Sequence, residues 1–539
     1  MKIRNRIQPA SDAGVGSSTG IAISSGSSSS SPTTTITKHN AKQKSTIDSF
    51  LGKRLILGLV LANSVALATF ASWRYRVFLI QRKPPYDGPP ADLVVHGQKQ
   101  SYTRFPVAAW RQVYIPPDSK GYETVLRAFR HNEWTLAATV EEALIVYKSR
   151  HDKKSNYYRQ LQPWQRYSRL PGFFHMESKD GFLAGFREYQ QQQQQQQQQA
   201  ARDATLAGGG APDPRPLYFL PETYRLEEKQ DRDAFEKKLA TGGGMNQPWV
   251  LKKVRVNNGK GIEMLGPNSA ELKTAVARAV ADTENDYIAQ TYICNELVWF
   301  QKEKFDLRMY WMVASIDPVM VFYHDGYARV GGAVYDETDF SSTPQHLTNH
   351  AFRPPEQSRV TSGHLWELVR AHYENDSVRL NQIIAIDPVE HVRRQIKEAI
   401  ATTVAAFANV TFGKDPRPLV PENLFAFYGA DFVVDNDLDV WFIEVQASPG
   451  FGETYDFRVD MFRDLFRPMV AIVEEITMKQ VADGQANLLP LKAPLGAWEM
   501  VYAGDWQYEY KGYERSKDKK SCRVGDGASK QKAKTSLFG

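Results

Sequence analysis

The chain has 539 residues, of which 42% are hydrophobic, and this length allows two or three domains with at least one sizeable core. The formal net charge is +6, and much of the basic excess lies near the two ends, which argues against a dedicated nucleic-acid-binding protein but permits an acidic partner. Only Cys294 and Cys522 are present, without metal-ligand spacing, so neither a disulfide framework nor a zinc site is indicated.

The first 91 residues predict three segments outside the main core. Residues 1–53 are rich in Ser, Thr and Gly and are expected to form a disordered leader. Residues 54–76 contain an uncharged apolar run, Leu55–Trp73, which is long enough to cross a hydrocarbon core of about 30 Å. We therefore expect a single-pass transmembrane anchor, with a buried helix or an organelle transit peptide as alternatives. Residues 77–91 read as a Pro-rich linker.

Residues 92–245 predict an amino-terminal and central region of short strands and helices. Helical patterns cover Glu123–Arg150 and Tyr224–Leu239. A pure glutamine run, Gln190–Gln199, interrupts the region, and we expect a low-complexity loop over 190–211.

Residues 246–482 contain most of the residues that suggest chemistry. Pro248–Gly266 predicts a strand carrying Lys252, a glycine-containing turn and a second strand. This arrangement suits a phosphate-binding loop, although a plain hairpin would look the same. A helix is expected over Ala270–Ala281 and a strand over Tyr287–Ile293.

The next segment, KFDLRMYWMVASI, alternates charged and apolar residues and predicts a half-buried strand with one charged face. That face carries Lys304, Asp306 and Arg308. Such a face is usually solvated, but mixed charges beside a phosphate loop also suit contacts to a ribose and to phosphate oxygens. Further along, His346 has no partner at metal-ligand spacing and is expected to be structural.

Two apolar runs, Asp431–Asp435 and Val440–Gln446, are separated by turn-forming residues and predict a β-hairpin. If the turn is centred between Asp437 and Leu438, Asp431 lies opposite Glu444, with Gln446 on the same face. Two carboxylates and an amide would then converge, which suits Mg²⁺ together with nucleotide phosphates. An edge hairpin whose acids face water is the alternative.

The order of these segments resembles the tubulin–tyrosine ligase-like family over roughly residues 92–482. The quoted order is PWVLKKVRVNNGKGIEM, IAQTYI, KFDLRMYWMV, YARVGG, HLTN and YGADFVVDNDLDVWFIEVQASPG. The resemblance implies an α/β chain with an ATP-grasp fold over residues 246–482 and a smaller amino-terminal domain. It also implies an ATP- and Mg²⁺-dependent ligase that joins a free amino acid, glutamate as first choice, to a carboxylate of tubulin or another acidic-tailed protein through an acyl phosphate.

The resemblance also assigns roles to residues of this chain. The ATP-binding residues that it implies are Lys252, Asn258, Gly259, Lys260, Gly261, Ile262, Gln290, Thr291, Tyr292, Ile293, Lys304 and Asp306. The incoming amino acid is expected at Arg329, Thr348 and Asn349. Catalytic roles fall to Arg308, Arg329, Asn349 and Glu444, and the metal positions are Asp431, Glu444 and Gln446.

Two departures from the family pattern leave a second interpretation open. Gln446 stands where the family usually has Asn, and Thr291 stands where it usually has a basic residue. A catalytically weakened, membrane-tethered protein that binds microtubules is therefore an alternative, as is a tyrosine or glycine ligase. The anchor would hold the catalytic domain at a membrane on the cytoplasmic side, with a luminal placement as the less favoured topology.

Residues 483–539 form a carboxy-terminal extension with a basic tail. Its Arg and Lys side chains could hold acidic protein tails or an anionic membrane by charge, or could simply be solvated. They include Arg515, Lys517, Lys519, Lys520, Arg523, Lys530 and Lys532.

Overall fold

The fold is taken from a computed structural model of the chain. It describes residues 88–90, 93, 106–119, 121–148, 161–162, 164–170, 174–205, 217–242, 244–256, 259–267, 270–300, 302–348, 360–361, 363–413, 424–451, 456–482, 488–513 and 515.

No helix in these ranges is long and apolar enough to cross a membrane. The predicted leader at 1–53 and the predicted anchor at 54–76 lie outside the described residues. The prediction of a single-pass membrane localisation is therefore corrected, because it depended only on the apolar composition of Leu55–Trp73 and no described helix supports it.

The first described region is a small parallel sheet with one helix. Its elements are β1 (Gln112–Tyr114), α1 (Tyr122–His131), β2 (Thr135–Leu136), β3 (Ile145–Val146) and β4 (Arg166–Tyr167), and the strand order is β2-β1-β3-β4. The predicted helix over Glu123–Arg150 is wrong beyond His131. The chain turns there through Glu133, whose φ is +63°, and the β-branched and aromatic residues that follow favour strands.

Two helices follow, α2 (Phe174–Glu177) and α3 (Lys179–Thr205). The predicted loop over the glutamine run is wrong, because Gln190–Gln199 forms part of α3. Glutamine is a good helix former, and the run continues a helix that is already anchored by the buried Phe182 and Phe186.

A four-stranded antiparallel sheet comes next and is covered by two helices. It contains β5 (Thr223–Arg225), α4 (Lys229–Ala240), β6 (Trp249–Lys253), β7 (Ile262–Leu265), α5 (Ala270–Ala281) and β8 (Tyr287–Thr291), with strand order β5-β8-β6-β7. Helix α5 has the predicted limits, and its apolar residues at helical spacing are buried against the sheet. We call this unit the small sheet.

The cysteine next to the small sheet differs from the expectation from sequence, which indicated no disulfide framework. Cys294, which follows β8, is disulfide-bonded. The other cysteine in the sequence, Cys522, lies outside the described residues.

The largest unit is a mostly antiparallel sheet, called the large sheet below. Its strands are β9 (Glu303–Ile316), β10 (Val319–Val334), β11 (Val360–Thr361), β12 (Ala426–Val434), β13 (Val440–Gln446), β14 (Glu499–Ala503) and β15 (Trp506–Gln507). The order is β13-β12-β9-β10-β14-β15, and β11 pairs with β10. Its helices are α6 (Thr343–His346), α7 (Gly363–Asn375), α8 (Ser377–Leu380), α9 (Pro388–Gly413) and α10 (Asp456–Thr477).

Both faces of the large sheet are covered, and for this reason β9 is not half-buried as predicted. Leu307, Met309 and Trp311 point into a core that includes α9, whereas Tyr310 and Met312 point into a second core that includes α10. The charged residues that precede Tyr310 share its face. They therefore lie near the start of a strand whose later residues are buried in the second core.

The β12–β13 hairpin has the predicted pairing of Asp431 with Glu444, although the turn differs from the assumed one. Val434 pairs with Val440, which places the turn centre at Asp437, and a bulge between Phe432 and Asp431 then shifts the register by one residue. The bulge offsets the different turn, so that both carboxylates lie side by side on one face.

Candidate active site

A cavity lies where the small sheet, the hairpin and the start of α3 meet. Its lining includes Lys252 and Gln290 of the small sheet, Ile443 and Glu444 of β13, and Lys179 at the first turn of α3. The predicted phosphate lysine and one predicted metal ligand therefore face the same space from two different sheets.

A row of charged side chains crosses the large sheet beside this cavity. Glu444 pairs with Asp431, and Asp431 pairs with Arg308. Two residues earlier on β9, Asp306 pairs with Arg329. Because residues that pair across neighbouring strands point to the same face, strand register alone brings these five side chains together from four strands. The sheet thus presents three carboxylates and two guanidinium groups on one surface.

Asp431 is the centre of this row. Arg308 forms a two-pronged ion pair with it, in which Nη2 lies 2.9 Å from Oδ2, and Nη2 of Arg329 lies 2.8 Å from the same oxygen. Burial alone would raise the pKa of Asp431, but the charges of the two arginines outweigh it and lower the pKa to about 2. Asp431 is therefore an anion throughout the physiological pH range.

Glu444 has the opposite electrostatic character. Burial raises its pKa, and the neighbouring charge of Asp431 raises it further, while Lys179 and Lys252 act in the other direction. Among the described residues no cation lies within ion-pair distance of Glu444, and its Oε1 accepts a hydrogen bond of 2.6 Å from the Gln446 amide. The carboxylate is thus placed where an added cation would be favourable.

The donor set fits Mg²⁺ in its chemistry. Carboxylate and amide oxygens are ligands that this ion accepts, and Glu444 lacks a full cationic partner. The fit is less complete at Asp431, whose two oxygens already accept hydrogen bonds from arginines, and at Gln446, whose amide nitrogen faces Glu444. A bound ion would share Asp431 with these arginines and would require the Gln446 amide to present its oxygen instead.

Lys252 extends from β6 towards the same cavity. Its Nζ donates a 2.6 Å hydrogen bond to Oε1 of Gln290, and the Gln290 amide nitrogen donates to Thr223 at 2.9 Å. Burial lowers the pKa of Lys252 to about 8, with Lys179 and Lys304 adding to the effect and Glu444 opposing it. An anionic ligand would favour the charged form of this lysine.

Four of the predicted ATP-binding residues, Gln290–Ile293, are called the hinge below; they are the last two residues of β8 and the two that follow it. The backbone N–H of Thr291 donates to Glu222 and that of Tyr292 donates to Pro248, so these residues are held on both sides. Ile293 packs against Val433 and Trp441 of the hairpin. The hinge therefore contacts both sheets, and its position depends on both.

The predicted glycine loop is described only in part. Gly259 and Gly261 have φ values of +73° and +70°, a conformation that favours glycine, while Lys260 between them is exposed and Ile262 begins β7. Asn258 lies outside the described residues.

Lys304, one of the predicted ATP-binding residues, has several protein partners. Its Nζ lies 2.8 Å from Oε2 of the fully buried Glu296 and donates to the Tyr292 hydroxyl at 2.9 Å. The same hydroxyl lies 2.8 Å from Nδ1 of His346, whose other ring nitrogen lies 2.7 Å from the Asp339 carbonyl. Lys304 therefore supports the hinge, and His346 is structural, as predicted.

The residues predicted to bind the incoming amino acid meet at Asp306. Arg329 is bonded to it through Nε, at 2.7 Å, and Nη2, and the Thr348 hydroxyl donates to Oδ2 at 2.6 Å. Asp306 is therefore the shared partner of Arg329 and Thr348, and its role in ATP binding stays a prediction. Asn349 lies outside the described residues.

Three functional candidates were missed from the sequence. Lys179 lines the cavity, Glu296 holds Lys304, and Arg169 donates to the carbonyl of Ala447 and to the Ser448 hydroxyl directly after Gln446. Nothing in the local sequence distinguishes Glu296 or Arg169 from surface charges.

Comparison with known proteins identifies the family of the chain. The model of the family described as "Tubulin-tyrosine ligase family" matches residues 157–481. The chain is 27% identical over 307 residues to the inactive polyglycylase TTLL10 of Homo sapiens. That alignment covers 50% of this chain and 43% of the human protein. It is 27% identical to the protein polyglycylase TTLL10 of Macaca fascicularis (50% and 47%) and 25% identical to the tubulin polyglutamylase ttll-4 of Caenorhabditis elegans (70% and 58%).

The chain thus spans about half the length of the curated relatives that it matches. The family match covers more than half of the chain and includes the small sheet, the large sheet up to α10 and every predicted site residue. The chain belongs to the tubulin–tyrosine ligase family.

Proposed function

We propose that this chain is an ATP-dependent ligase that joins a free amino acid to a carboxylate on tubulin tails or another acidic protein. The observation that carries the proposal is that Glu444, at one end of the row of charged residues on the large sheet, lines the same cavity as Lys252 of the small sheet. A nucleotide held between two antiparallel sheets is the arrangement of an ATP-grasp fold, and we infer that fold here. The names of the relatives favour glycine or glutamate as the added residue, with glutamate as our first expectation and tyrosine as the third candidate.

In this mechanism the protein supplies positioning and charge rather than a covalent nucleophile. Lys252 and Arg308 would neutralise charge that spreads over the phosphoryl oxygens while the γ-phosphoryl group passes to the acceptor carboxylate. Arg329, oriented by Asp306, would hold the carboxylate of the incoming amino acid. The α-amine of that amino acid then attacks the carbonyl carbon of the acyl phosphate, so that an amide bond forms and phosphate leaves.

Asp431, Glu444 and Gln446 would hold Mg²⁺, which supplies a countercharge for the nucleotide phosphates. Glu444 is the residue on which this assignment depends most, because it is the carboxylate without a full cationic partner.

The test measures ADP release and amino-acid incorporation by the full chain with tubulin and with glutamate, glycine or tyrosine. We expect one amino acid to drive both reactions in the wild type, and we expect Glu444→Gln to abolish both. Glu236→Gln is the matched control, since Glu236 is exposed on α4, away from the cavity. Equal activity of the Glu444 variant and the control would refute the assignment.

A second candidate is a catalytically weakened member that binds microtubules. Two observations favour it: Gln446 donates its amide to Glu444, and one relative is named an inactive polyglycylase. The two candidates differ in nucleotide binding. If the full chain shows no Mg²⁺-dependent ATP binding but pellets with microtubules, the second candidate replaces the first.

A further inference from the structure

The segment Trp498–Arg515, which we call the carboxy-terminal strap, lies beyond the residues 157–481 that the family model matches. It is nevertheless integrated into the fold. Its strand β14 pairs with β10 over Met320–Tyr323, and the Trp498 indole N–H donates to the Leu465 carbonyl at 2.9 Å. The strap therefore begins as part of the large sheet.

After β15 the strap crosses helix α9. The ring of Tyr508 lies 4.9 Å from Nζ of Lys397, and the backbone N–H of Tyr510 donates to Glu398 at 3.0 Å. The Tyr510 hydroxyl lies 2.9 Å from Nδ1 of His391. These contacts carry the chain from the β10 side of the large sheet towards its opposite edge, β13.

The strap ends on the tip of the β12–β13 hairpin. Nη1 of Arg515 donates to the Val440 carbonyl at 2.7 Å, and its guanidinium carbon lies 4.0 Å from the centre of the Trp441 ring. The Tyr513 hydroxyl donates to Asp439. Because β13 is the edge strand, Arg515 also provides a partner for the backbone at an edge that otherwise lacks a neighbouring strand.

Arg515 is buried, with 8% of its surface exposed, and is therefore not one of the free tail cations that the sequence suggested. Its contact residue Trp441 packs against Ile293 of the hinge, and three residues later the same strand carries Glu444. One arginine thus contacts a strand that packs against the hinge and also carries the proposed metal ligand.

We propose that Arg515 is a positioning residue for the nucleotide site, acting through Trp441 on Ile293 and through β13 on Glu444. The proposal deepens the proposed function and rests on it. An arginine suits the task because a flat guanidinium can stack on an indole ring while its N–H groups bond a carbonyl, which a lysine does less well.

The experiment compares full-chain Arg515→Ala and Arg515→Lys with the wild type and with Arg463→Ala. Arg463 is a matched control, because it is an exposed arginine of α10 that pairs only with Asp460 and Asp464 in the described structure. The readouts are the dissociation constant for ATP, the midpoint of thermal unfolding, and hydrogen exchange of the peptides that cover 287–293 and 440–446.

We expect Arg515→Ala to weaken ATP binding roughly 10- to 100-fold, the range for residues that orient ligating groups, and to raise hydrogen exchange in both peptides. Arg515→Lys should recover part of both effects, and Arg463→Ala should leave both unchanged. If Arg515→Ala fails to fold, Tyr513→Phe replaces it, since only one hydroxyl is removed, and a smaller change in the same direction is expected.

A variant that unfolds at a lower temperature but binds ATP within twofold of the wild type would overturn the proposal and leave a purely structural strap. If the wild type itself binds no ATP, the proposed function fails, and hydrogen exchange decides the coupling by itself. In that case a change confined to 440–446, with 287–293 unaffected, would overturn the proposal.

Discussion

The lowered pKa of Lys252 makes a direct prediction about how nucleotide binding depends on pH. With a pKa of about 8 in the free protein, against 10.5 for an ordinary lysine, keeping this side chain charged costs at most about 3 kcal/mol, less what its partial exposure recovers. A phosphate group binds the charged form. Above the pKa the protein must therefore take up a proton before it binds ATP, and the affinity falls by up to tenfold per pH unit.

Between about pH 7.5 and pH 9.5 we expect the dissociation constant for ATP to rise about 25-fold, the change that proton linkage gives at a pKa of about 8. Isothermal titration calorimetry in two buffers of different ionisation enthalpy measures the dissociation constant and counts the protons taken up. Lys252→Arg is the control, because a guanidinium stays charged throughout this range and its affinity should not change with pH. A rise of less than about threefold in the wild type, or an equal rise in the arginine variant, would refute the contact between Lys252 and phosphate.

Two further substitutions test the hairpin. Gln446→Asn shortens the side chain that donates to Glu444 at 2.6 Å, so Glu444 should become available to a cation. In a Mg²⁺ titration, ATP binding should then reach its midpoint at a lower Mg²⁺ concentration than in the wild type. A higher midpoint would contradict this interpretation. Gly429→Ala would place a methyl group 2.9 Å from Cδ of Arg308 and so displace the arginine side chain. We expect turnover to fall at least about tenfold, while the free energy of unfolding drops by only about 1–2 kcal/mol. Unchanged turnover in the folded variant would show that the position of Arg308 is not critical.

The pairing of Asp431 with Glu444 could be predicted because it depends on local sequence. Alternation along two short runs places both carboxylates on one face, and the turn between them limits the register. Even so, the predicted turn was half a residue away from the observed one, and a bulge restored the pairing. Bulges depend on the fit between strands and the layers around them, which a single sequence does not display.

The partners of these carboxylates could not be predicted in the same way. Arg308 and Arg329 reach Asp431 because β9 lies between β12 and β10, a strand order that no local pattern contains. The pair of Lys304 with Glu296 spans only eight residues, yet it was missed because alternation predicts a charged face of the strand without showing which partner each charge has. Burial of both sheet faces, which is a property of the whole fold, changed the environment of every charge in the row.

The long helix α3 has a consequence for variation in glutamine number. At 27 residues it is about 40 Å long, and Lys179 at its first turn lines the cavity while the glutamines lie towards its other end. Each glutamine gained or lost after Phe186 changes the length of the helix by about 1.5 Å and rotates its carboxy-terminal end by about 100°, but it leaves the first turn in place. Variants with a longer or shorter glutamine tract should therefore differ in the length of this helix, while the distance from Lys179 to Lys252 stays constant.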